Sequence, residues 1–136
     1  MATFMRPYEP QTYAALRIVT GFLFLWHGMQ KLFGFPGEVP AGIPAFITWT
    51  AGPIELGGGV LVMVGLFTRW AAFLASGLMA FAYWLGHGTR ALLPVLNQGE
   101  LAVIYCFVFL YISARGPGRW SLDALRKPVD ARQASS

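Results

Sequence analysis

The chain has 136 residues, of which 56% are apolar and only 12% charged, and its formal net charge is +4. A charged fraction about half the ~25% of soluble domains excludes an ordinary water-facing surface and points to lipid as the solvent. The basic residues lie between or after apolar blocks rather than in one patch, which excludes nucleic acid as a partner, and the length suits one domain over residues 1–136.

The first twelve residues are polar, with Arg6 among them, and no small-residue cleavage site closes the apolar run that follows. The first segment is therefore expected to remain as a helix and not to leave as a signal. Charge-free runs cover 18–30, 56–68, 70–89 and 101–114. Only the third clears the ~18-residue threshold for a spanning helix unaided. The others qualify once a charge at one end is tolerated: Arg17 snorkels to one face, Lys31 to the other, and Glu55 and Glu100 stand near the start of their blocks.

Four spans are thus predicted, at about 12–34, 53–68, 70–87 and 99–115. The expected fold is an all-α membrane protein, a four-transmembrane-helix up-down bundle. A soluble bundle would need a polar face on each helix, and "LAVIYCFVFLYISA" is apolar all round.

Between the first two spans, "FPGEVPAGIPAFITWTAG" holds three prolines and three glycines, and "IPAFITW" within it is expected to lie as a short interfacial helix in this first outer loop. Spans two and three meet in a tight "FTRW" turn, with Thr68 placed to cap the third helix. Gly21 and Gly28, and likewise Gly58 and Gly65, stand seven apart and so lie on one helical face, a pattern suited to close helix packing. The tail 116–136 opens on Gly-Pro-Gly, which ends the fourth span; beyond it Trp120, Leu122 and Leu125 are expected at the inner interface, with Arg126 and Lys127 among lipid phosphates.

Arg6, Arg17, Arg69, Arg115, Arg119, Arg126, Lys127 and Arg132 fall on one side of such a bundle, against Lys31 and Arg90 on the other. By the positive-inside rule both termini are cytoplasmic. Asp123 is one of few acids on that side, where Arg17 and Arg69 need partners, so an Asp123 clamp to these arginines is expected.

At the outer face the four spans each bring an ionisable group: His27 and Lys31 one turn apart, Glu55, His87 and Glu100, with Arg90 and Asn97 in the adjoining loop. Charges in a bilayer face the interior and pair, so Lys31 with Glu55 is the first pair expected. Two readings stand side by side. The pairs neutralise one another and fix helix register, or the cluster handles a substrate or protons.

Sharper chemistries lack their motifs. Cys106 is the only cysteine, which excludes a disulfide or a dithiol relay within the chain. His27 and His87 have no Glu-x-x-His or paired-histidine spacing around them, so no metal or haem site is expected. There is no Gly-rich phosphate loop, dinucleotide fingerprint or Ser-His-Asp set, and any redox centre would belong to a partner.

The strings "LRIVTGFLFLWHGMQKLFGF", "IELGGGVLVMVGLFTRWAA" and "NQGELAVIYCFVFLYISARGPGRWSLD" resemble the DoxX family of small four-span bacterial inner-membrane proteins, over roughly residues 12 to 125. The resemblance singles out Arg17, His27, Lys31, Glu55, Arg69, Asn97, Glu100 and Asp123. It implies an inner-membrane, multi-pass location and, since relatives called DoxD belong to a thiosulfate:quinone oxidoreductase, a subunit or accessory of a quinone-linked redox system for thiosulfate, thiols or oxidative stress. The implied ligand is a quinone that is not firmly bound, and the implied partners are a redox protein or a second copy of the chain. Because other relatives are assembly factors, a non-catalytic scaffold is the alternative, and a small-solute carrier comes third because four short spans leave little room for alternating access. Whether the chain is itself an enzyme stays open.

Overall fold

A computed structural model of the protein describes residues 3–126. After a short 3-10 turn at Arg6–Tyr8 come α1 (Glu9–Phe33), α2 (Ala45–Val64), α3 (Thr68–Gly86), the short α4 (Pro94–Asn97), α5 (Glu100–Arg115) and the short α6 (Leu122–Leu125). All regular structure among the described residues is helical. The remainder of the tail, with Lys127 and Arg132, lies outside the described residues.

Local chemistry sets the helix ends. Pro10 and Glu9 occupy the first turn of α1, where a missing N–H costs nothing and a negative charge meets the positive end of the helix dipole. Gly34 closes α1 in the left-handed region at φ 63°, returning its N–H to the Gln30 carbonyl. Gly65 closes α2 in the same way at φ 71°.

The start of α2 corrects the sequence reading. The helix begins at Ala45, not near 53, so the expected separate interfacial piece is the first part of α2 itself. Pro53 sits inside the helix, where it removes one N–H, yet the helix runs on. On the preceding turn the Thr50 hydroxyl donates to the Phe46 carbonyl at 2.6 Å, while Ala51 and Gly52 bury their face. Pro44, extended at ψ 142°, is the residue that launches the helix. The irregular chain is confined to the stretch before it.

α1 packs along α2, α3 along α5, and α2 also meets α3. The α1–α2 seam is built from glycine. A Cβ on Gly21 would lie 2.6 Å from the Gly59 carbonyl oxygen, and one on Gly28 would lie 2.6 Å from that of Gly52. Gly52 and Gly59, seven apart, are the α2 half of the seam. A Cβ on Gly58 would meet only the Ala71 carbonyl oxygen, 4.0 Å away, and Gly65 is a helix cap packed against Ser121 and Arg17, so neither glycine of the pair singled out from sequence belongs to this seam. Flanking the glycines of α1, Phe24 is fully buried against Tyr105 and Phe109 of α5, with ring centroids 5.3 and 4.7 Å away.

Among the described helices, α2 alone is both long and apolar enough to cross a membrane unaided, with a mean hydropathy of 1.3. α1 carries Glu9, Arg17 and Lys31, and α5 has only 16 residues.

Candidate functional site

Lys31 lies in the last turn of α1, where a cation complements the helix dipole, and Glu55 lies in the middle of α2. The Gly28–Gly52 contact brings the two backbones close enough for these side chains to meet directly. Lys31 Nζ donates to both carboxylate oxygens of Glu55, at 2.5 and 2.6 Å. The Glu55 side chain is 3% exposed and that of Lys31 17%, so the pair is closed on the acid side and open to one side at the amine.

One turn before Lys31, His27 is half-buried with its ring edge-on to Tyr105, centroids 6.0 Å apart. No hydrogen-bond partner for the His27 ring is found among the described residues. Tyr105 is buried in α5. The corner therefore offers an ammonium, an imidazole with free nitrogens and a phenol as donors, and one carboxylate as acceptor, beside the rings of Phe24 and Phe109.

His87 and Asn97 form a separate group. His87 Nδ1 meets the Asn97 carbonyl at 2.9 Å, while the buried Asn97 amide donates to the Ala91 carbonyl at 2.9 Å and to the Tyr83 hydroxyl at 3.1 Å. Asn97 Oδ1 accepts from Gly99 N–H at 2.8 Å. Asn97 thus folds the 88–98 loop back on itself. Arg90 and Glu100 are exposed, and their side chains make no hydrogen bond or ion pair among the described residues. The seven positions expected in one cluster are divided in this way because the glycine seam ties α1 to α2 while the loop satisfies its own backbone. No group of three or more His, Cys, Asp or Glu side chains that could hold a metal occurs among the described residues.

The opposite end overturns the expected arginine clamp. Arg17 is fully buried, yet it donates to backbone only: Nη1 to the Val62 and Met63 carbonyls at 2.7 and 2.8 Å, Nη2 to those of Arg119 and Trp120 at 3.0 and 2.7 Å. Arg69 donates in the same manner to Ser113, Ala114 and Arg115. Each guanidinium occupies the carbonyl end of a helix, α2 or α5, where unpaired acceptors and the negative dipole end want a cation. Asp123 takes the complementary place at the start of α3. Its carboxylate accepts from the N–H groups of Phe67 and Thr68 at 3.0 and 2.9 Å and from the Thr68 hydroxyl at 2.9 Å. Partial burial pushes this carboxyl up, but the hydrogen bonds from Thr68 and Phe67, helped by Arg126, leave it below its usual value. Carbonyl oxygens and a helix N-terminus, rather than one another, are the partners of these three charges.

Sequence reasoning passed over Tyr105, Tyr83 and Gly52. The first two were detectable as hydroxyls in otherwise apolar runs; Gly52 precedes Pro53 and read as loop.

The DoxX family profile matches residues 12–88. An uncharacterized protein of Haemophilus influenzae is 39% identical over 127 residues, covering 88% of this chain and 93% of its own. "Inner membrane protein YqjF" of Escherichia coli is 28% identical over 127 residues, 89% of this chain and 96% of that one. "Putative oxidoreductase CatD" of Bacillus subtilis is 43% identical over 58 residues, 40% of this chain and 43% of the relative. No solved structure matches the chain.

Proposed function

The chain belongs to the DoxX family and is a membrane protein, and from that membership we propose that it crosses the inner membrane four times and serves as a subunit or accessory of a quinone-linked oxidoreductase. The spans are α1, α2, α3 and α5. Supporting this, Phe73, Phe81 and Phe107 are 55%, 62% and 64% exposed while Arg17 is at 0% and Glu55 at 2%, an arrangement suited to a lipid surround and costly in water. At about 1.5 Å per residue, the 16 residues of α5 reach about 24 Å, short of the ~30 Å core, a mismatch met by local thinning and by Glu100 and Arg115 at its ends. Arg17, Arg69, Arg115, Arg119 and Arg126 share one end and favour cytoplasmic termini.

The observation that carries the redox reading is the buried Lys31–Glu55 pair with an unsatisfied His27 beside it. A quinone, when bound, accepts two electrons and two protons. An isoprenoid tail holds it in the bilayer, and its two carbonyls need donors, which Lys31 Nζ, His27 and Tyr105 supply against an aromatic wall. In this reading Lys31 and His27 hold a carbonyl oxygen by hydrogen bonds. Glu55 keeps the ammonium in place and passes protons through it, and Tyr105 orients the imidazole. Electrons come from a partner protein or from a thiol or thiosulfate at the aqueous face, where exposed Arg90 attracts anions. The relative named as an oxidoreductase supports the class by family analogy.

Photolabelling tests it. An azido-quinone in lipid nanodiscs is expected to label peptides of α1 and α5 around His27 and Tyr105, with excess unlabelled quinone suppressing the signal. Labelling spread evenly over the lipid-facing surface would contradict the site.

One observation favours a second reading, a non-catalytic scaffold. Both Glu55 oxygens go to one nitrogen, so the pair closes on itself, and at the other end Arg17, Arg69 and Asp123 each hold a helix end.

A further inference from the structure

At the arginine-rich end a cavity of about 380 Å3 opens between α1, α3 and the chain after α5, and Tyr13, Arg69, Arg115, Pro117 and Arg119 line it. Three guanidiniums meet here. Arg69 is held by the α5 carbonyls, and Arg115 lies 4.2 Å over the Tyr13 ring, bonded to the Tyr111 hydroxyl and paired with Glu9. The Arg119 side chain is exposed and makes no hydrogen bond among the described residues. Among the described residues Glu9 is the one carboxylate paired with the three, which leaves a net positive cavity in which backbone carbonyls hold Arg69 in place.

A second cavity, of about 290 Å3, shares Arg69 with the first and is otherwise walled by Trp70, Phe73 and Ser113. Trp70 and Phe73 are 74% and 55% exposed on the outer face of α3. A cationic chamber and an apolar groove thus adjoin at one arginine, at the level where the apolar helices end. That pairing matches an amphiphile with an anionic head, not a free ion, which would need no groove.

We propose that the two cavities form one site for an anionic phospholipid, with the phosphate among Arg69, Arg115 and Arg119 and an acyl chain along Trp70 and Phe73. The site is independent of the redox reading, since it lies at the other end of the helices from His27. A zwitterionic lipid is disfavoured because its trimethylammonium group would approach the same guanidiniums.

The test is the melting temperature of the purified protein in mild detergent, titrated with dihexanoyl phosphatidylglycerol, dihexanoyl phosphatidylcholine or inorganic phosphate. Phosphatidylglycerol is expected to raise it saturably, and the other two to leave it nearly unchanged at equal concentration. Arg119→Gln removes no cap and should weaken the apparent affinity about fivefold, the effect of one basic residue near an anionic lipid. Trp70→Ala should weaken it as well. Equal stabilisation by phosphatidylcholine, an equal effect of inorganic phosphate, or an unchanged affinity in Arg119→Gln would each overturn the proposal.

Discussion

Lys31 and Glu55, 24 residues apart in the chain, are joined by two hydrogen bonds from one ammonium nitrogen to both oxygens of one buried carboxylate. Removing either partner strands a charge in a low-dielectric interior, at a cost of about 3–5 kcal/mol. Glu55→Gln and Lys31→Met should therefore each lower the melting temperature in detergent, and the double variant should recover part of the loss. Simple additivity would mean that the two side chains do not depend on each other.

The α1–α2 seam predicts a sharp contrast among glycines. A Cβ at Gly21 would stand 2.5 Å from the Met63 nitrogen, and one at Gly59 would stand 2.6 Å from the Leu25 nitrogen, both backbone atoms that cannot swing aside. Gly21→Val and Gly59→Val should destabilise by about 1–3 kcal/mol or more through overpacking. Gly57 and Gly77 meet nothing within 4 Å, so Gly57→Ala and Gly77→Ala should be neutral or stabilising by up to about 1 kcal/mol. Chemical denaturation of the four variants checks the order.

Asp123 supplies a pH dependence of known sign. Its carboxyl is held below the ordinary 3.8 by the hydrogen bonds at the start of α3. A carboxyl depressed on folding stabilises the protein fully above its unfolded value of about 3.9, and that contribution is lost as pH falls through the lower folded value. The melting temperature should drop across this acid window in the wild type. Asp123→Asn should start lower at neutral pH, by the ~1 kcal/mol of a helix cap, and fall less steeply.

How much of this was legible from sequence depended on the range of the interaction. Helices appear where apolar periodicity and Gly or Pro punctuation coincide, as at Gly34 and at the Gly116 turn, because those signals act within a few residues. Pro53 misled because a proline within a helix and a proline at its start look alike until the packing of Ala51 and Gly52 is known. The polar candidates were conspicuous, but their grouping was not. Charges suggested that Asp123 would answer Arg17, whereas the energetics of helix ends give each of them backbone partners that no residue type reveals. Asn97 likewise joined the outer cluster on paper, and in the fold it serves its own loop.

The proposed four-span topology predicts an accessibility pattern. In a Cys106→Ala background, cysteines placed at Thr3 and Leu125 should be shielded from an impermeant thiol reagent in intact cells and react after lysis. One placed at Ala41, exposed between α1 and α2, should react in intact cells. Labelling of the first two alone would reverse the orientation.

The redox reading stands or falls on a ligand at His27. Calorimetric titration of the purified protein with a water-soluble quinone analogue, for the wild type and for His27→Ala, measures it most directly, since the His27 ring makes no hydrogen bond among the described residues. The account predicts saturable binding in the wild type and its loss in His27→Ala while the variant still unfolds cooperatively. Absence of wild-type binding at submillimolar analogue, or equal binding by the variant, would contradict it.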